Sequence, residues 1–70
     1  MTDSAALCTL IKEKGLKYKY IAQKLGITPY GLKLKIDNRS EFKASEISCL
    51  CEILNIINLS EREQIFFRKE

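Results

Sequence analysis

The sequence predicts an all-α domain of four to five short helices, and three observations predict it. Apolar residues recur at i, i+3 and i+4 in separate windows, the spacing of one buried helix face. Stop signals close those windows at Gly15, at Gly26 and at the polar run Asn38-Arg39-Ser40-Glu41. Start signals open the next ones, at Thr28-Pro29 and at Ser60-Glu61-Arg62-Glu63. Seventy residues, 46% of them apolar, supply one core with little margin of stability and exclude two domains.

The first helix is capped by Asp3 or Thr2 and runs to about Lys14, with Leu7, Leu10 and Ile11 on its buried face and Cys8 beside that stripe. Gly15 ends it, and Leu16 folds back onto the core. The next segment, Tyr18 to Asn38, reads as two short helices joined by a tight turn. Ile21, Ala22 and Leu25 share one face of the first, and Gly26 stops it by supplying the left-handed position. Thr28 caps the second, and Pro29 sits at its first position, where a missing N–H costs nothing. Leu32 and Ile36, at i and i+4, meet Ile21, Ala22 and Leu25 across the turn. The small Ala22 lets the backbones approach.

After the polar loop, Phe42 and Ile47 are spaced as a hydrophobic staple around an N-cap at Lys43, with Glu46 at the third helical position. A helix from Ala44 follows. It buries Ile47, Leu50, Cys51 and Leu54, turns Ser48 and Glu52 outward and ends at Asn55. Ile56-Ile57-Asn58-Leu59 form an apolar connection. The capping box at Ser60 opens a final helix over 60–69 carrying Ile65, Phe66 and Phe67. Adjacent helical residues diverge by about 100°, so three in succession cannot all face one core. Either part of this cluster is covered by a second chain, or Phe66 plugs the core and Phe67 caps its edge.

The net charge of +3 conceals an asymmetry. Residues 12–43 hold nine Lys or Arg against three acids, a balance of +6, and residues 44–70 hold three against five. A basic surface on the paired helices suits a polyanion; lysines that only solvate a helical surface are the alternative. Chemistry of other kinds is poorly supported. There is no histidine, no nucleophile-base pair and no glycine-rich phosphate loop, so no catalysis and no cofactor or small-molecule ligand is expected. Cys49 and Cys51 project to different faces of one helix and cannot share a metal. An odd count of three cysteines fits reduced thiols in the cytoplasm. No apolar run approaches the roughly 18 residues a membrane span requires, and Asp3 stands where a secretory signal would be basic.

The pair Ile21-Ala22, the turn Leu25-Gly26-Ile27, the Thr28 cap and the buried Leu32, with helices at the usual distances on either side, resemble the helix-turn-helix of the phage repressor and Cro family (XRE-like). The resemblance covers most of the chain and implies a lambda-repressor-like DNA-binding domain, its motif over 18–38. It implies a small transcriptional regulator, of phage or prophage type, that occupies operator DNA with helix 29–37 in the major groove. Thr28, Pro29, Tyr30, Lys33 and Leu34 match the base-proximal positions, Leu34 suiting thymine methyl groups. Tyr18 matches a phosphate-contacting position, and Lys17, Lys19, Lys35, Asn38 and Arg39 are the other backbone contacts. A homodimer, at least on double-stranded DNA, and a nucleoid-associated location follow from the same likeness. One departure bears on helix rotation: Lys35 stands where many members carry an apolar residue, and Ile36 takes the core role. A protein-interaction module, an antirepressor or adaptor on the same scaffold, is the alternative, since fold does not fix function.

Overall fold

Asp3 accepts a hydrogen bond from the Ala6 N–H at 3.1 Å and so starts α1, Ser4–Glu13. The computed structural model describes residues 1–69, and these form five α-helices: α1, then α2 Tyr18–Leu25, α3 Pro29–Ile36, α4 Ala44–Ile53 and α5 Leu59–Phe66. No strand occurs among the described residues. The domain is all-α, with extents of 26 × 24 × 21 Å.

The first four helices end in the same way. One or two residues past each, the chain takes a left-handed backbone, at Gly15 (φ 68°), Gly26 (74°), Asn38 (63°) and Asn55 (57°). Its N–H and the next one reach back to carbonyls of the last turn. Gly26 donates to Gln23 and Ile27 to Ala22, while Asn38 donates to Lys35 and Arg39 to Leu34. Gly15-Leu16 and Asn55-Ile56 repeat the pattern on α1 and α4. Carbonyls that would otherwise be orphaned are satisfied. In three cases the residue after the left-handed one, Leu16, Ile27 or Ile56, is returned to the core.

That core gathers Leu7 and Ile11 of α1, Ile21 and Ala22 of α2, Leu32 and Ile36 of α3, Ile47, Leu50 and Cys51 of α4, then Leu54, Ile56, Ile65 and Phe66. Leu10 is half-buried at its edge, where a fully buried face was expected. α2 packs on α3 and α4, and α1 on α3 and α5. Phe42 and Phe66 meet edge to face, ring centroids 5.8 Å apart, closing α5 over the start of α4.

The last helix differs from expectation at both ends. Asn58, not Ser60, is its N-cap, accepting from the Ser60 and Glu61 N–H groups at 2.8 and 3.2 Å. It closes at Phe66 rather than running to residue 69. Ile65 and Phe66 are buried and Phe67 is left half exposed. The first three residues are stitched between α3 and α5. Asp3 N–H donates to the Ile65 carbonyl and Arg68 N–H to the Met1 carbonyl, while the Met1 amine donates to the Arg68 carbonyl.

Candidate nucleic-acid interface

The residues expected at the bases owe their place to how α3 is held. Leu32 and Ile36 face the core and are at most 1% exposed. Residues on the opposite side must then face solvent. Thr28, Pro29, Tyr30 and Lys33 are all exposed, Tyr30 by 73%. The Thr28 hydroxyl accepts the Gly31 N–H at 2.9 Å, which fixes the first turn. Lys33 lies 3.4 Å from Asp37 one turn later, both well exposed, a pair water weakens and a competing anion displaces. Leu34, expected to face fully outward, is half-buried. Gly31 has a local explanation: a Cβ there would come within 3.1 Å of the Thr28 hydroxyl oxygen.

Of the six residues expected at the phosphate backbone, four stand exposed, Asn38 and three charged side chains. Lys17 and Lys19 flank the start of α2, and Arg39 follows the end of α3. None is within ion-pair distance of a carboxylate among the described residues. Lys35, Tyr18 and the exposed Asn38 have hydrogen-bond partners inside the protomer.

Lys35 is the most enclosed of them. Its Nζ is 2.6 Å from Glu46 Oε1, and the two side chains are 12% and 7% exposed, so the ammonium is turned toward α4 and away from solvent. The spacing from Ile36 suggested an outward lysine, but a carboxylate eleven residues later draws it in. Burial pushes the Glu46 carboxyl upward; the hydrogen bonds from Lys35 and from the Lys43 N–H, with both lysine charges, overcome it and hold the group below its ordinary value. The second of those bonds, 2.8 Å long, is the N-terminal cap of α4. One carboxylate thus serves a helix start and an ion pair.

Tyr18 and Asn38 also have partners within the protomer. The Tyr18 hydroxyl lies 3.4 Å from the Cys8 sulfur in a partly buried site, and this contact with burial raises its pKa to about 12. Asn38 accepts the Thr2 N–H and donates to the Thr2 carbonyl, both at 2.8 Å, so its amide holds the N-terminal segment rather than an external anion. Ser4 completes this join by donating its hydroxyl to the Ile36 carbonyl.

Sequence reasoning missed two participants. Asp37 shares the outward stripe of α3, and its i, i+4 spacing from Lys33 was a legible signal. Tyr20 is exposed on α2 under Lys24, whose Nζ is 5.6 Å from the ring centroid. Among the described residues, no group of three or more Cys, Asp or Glu side chains is arranged to hold a metal ion. No helix there is long and apolar enough to cross a membrane. The exposed end of α3 offers a hydroxyl, a phenol, a proline face and an ammonium, groups that hydrogen-bond or pack against a partner without reacting with it. No family model, no curated protein and no solved structure matches the chain.

Proposed function

We propose that this chain is a sequence-specific double-stranded DNA-binding protein, a small regulator of Cro or repressor type that occupies operator DNA through α3. The observation that carries the reading is the division of α3: Leu32 and Ile36 anchor it, while Thr28, Pro29, Tyr30 and Lys33 are exposed on its other side. A helix so mounted projects into a major groove. Lys17, Lys19 and Arg39 supply cations for the phosphates beside it. Binding by two copies, each on its own half-site, gives a use for the half-exposed Phe67. The protein would then act in the cytoplasm, on the chromosome or a prophage within it.

Selection of bound fragments from a random duplex pool tests this directly. A recovered consensus with two half-sites about one turn apart is expected. Tyr30→Ala should shift the preferred sequence and reduce discrimination by about tenfold, because a groove-facing side chain distinguishes bases. If the pool returns no consensus and Tyr30→Ala changes nothing, the reading falls. A protein-binding role has one observation in its favour. Ile57, before α5, and Leu59, its first residue, are apolar, 90% and 71% exposed, and lie outside α3.

A further inference from the structure

We propose that Lys35 and Glu46 are positioning residues that fix the rotation of α3 about its own axis, and with it the base pairs read by Tyr30 and its neighbours. The inference rests on the DNA-binding reading above. It starts from the poverty of apolar anchors on α3. Leu32 and Ile36 are its two buried side chains, and at i and i+4 they lie on a single line along the helix. Two points on one line fix where the helix lies and leave its roll about that line weakly held.

Lys35 lies about 100° around the helix from Ile36, off that line. Its 2.6 Å bond to Glu46 therefore acts as a tangential stop. Glu46 is itself fixed, because the same oxygen accepts the Lys43 N–H at the start of α4. At the C-terminal end of α3, Ser4 and Asn38 join the chain to the N-terminal segment. With side chains a helix has a radius of about 5–6 Å, so a 20° roll carries an outward group about 2 Å. A hydrogen bond to a base edge does not survive that displacement.

The test uses Lys35→Met/Glu46→Gln, which keeps the lysine's aliphatic stem and an oxygen acceptor for the Lys43 N–H while removing both charges. In binding titrations, discrimination between the selected duplex and a scrambled one should fall about tenfold or more. Affinity for the scrambled duplex and its salt dependence should stay as in the wild type, since Lys35 touches no phosphate. In the DNA-free protein, amide hydrogen exchange should quicken in α3 and remain unchanged in α1.

Intact discrimination overturns the proposal. So does exchange that quickens equally in α1 and α3, the sign of general loosening, or exchange in α3 that does not change. If the double variant does not fold, Glu46→Gln alone should shift the same readouts in the same direction by a smaller factor, and its failure to do so is equally decisive. A wild-type protein that prefers no duplex would sink the DNA-binding reading instead, and the exchange measurement would still decide whether the pair holds α3.

Discussion

Glu46 shows how one side chain can be tied to two tasks. It is 6% exposed and takes hydrogen bonds from Lys35 and from the Lys43 backbone. Glu46→Ala leaves a nearly buried ammonium without its partner and removes a cap, so a loss of about 3 kcal/mol is expected in urea unfolding, with the m-value unchanged. The pH dependence follows from its lowered pKa. A carboxyl held below its unfolded value near 4.5 contributes stability that is fully present above that value and is lost as pH falls through the folded one. The wild type should therefore weaken below about pH 4.5 more steeply than Glu46→Gln. Parallel curves for the two proteins would refute the assignment. Thr28 and Gly31 form a second coupled pair, through the cap at 2.9 Å and the crowding at 3.1 Å. Thr28→Ala should cost about 1 kcal/mol. Gly31→Ala should gain less than the usual ~1 kcal/mol of helix propensity while Thr28 is present, and close to all of it in the Thr28→Ala background. Additive thermal shifts would show that the contact does not matter.

At the scale of elements, the left-handed helix ends at Asn38 and Asn55 look alike but are held differently. Asn38 joins its end of α3 to Thr2 with two side-chain hydrogen bonds, and it is the left-handed residue of a helix-ending motif. Asn38→Gly keeps the backbone geometry and loses those bonds, at an expected cost of about 1–2 kcal/mol. Asn55→Gly loses no such bond and should stay within about 0.5 kcal/mol of the wild type, glycine's ease in the left-handed region offsetting its greater unfolded freedom. Equal effects in a denaturant titration would mean the Asn38 amide contributes nothing. This contrast also marks what the sequence made legible. Ends at Gly15, Gly26 and Asn55, the Thr28 cap, the start of α4 at Lys43 and a first cap at Asp3 or Thr2 are local signals, set by residues within one turn, and they were readable. Asn38 read as loop because its partner lies 36 residues away. Ser60 matched a capping box letter for letter, yet Asn58 reaches two amide groups at once and takes the role. The outward face of α3 was legible from Leu32 and Ile36. The inward turn of Lys35 and Tyr18 was not, because it depends on Glu46 and Cys8, which only packing brings near.

For the whole molecule, the division of charge sets how strongly binding should respond to salt. Residues 12–43 carry nine cationic side chains, but Lys35 is neutralised by Glu46 inside the protomer and cannot displace a counterion. Lys17 and Lys19 at the start of α2 and Arg39 after α3 remain as exposed cations. Each phosphate neutralised on duplex DNA lowers the slope of log affinity against log salt by about 0.9. Three contacts from each of two protomers predict a slope of about −5, and one protomer acting alone predicts about −3. The double variant Lys17→Ala/Lys19→Ala should then flatten the slope by about 4 on a two-site operator and by about 2 on a single site. The slope counts cations over every copy bound, so the same titration reports stoichiometry and contact set together. A slope near −5 that Lys17→Ala/Lys19→Ala leaves untouched would place the phosphate contacts elsewhere, on the exposed Lys12 and Lys14 at the end of α1, and would turn the domain on its DNA accordingly.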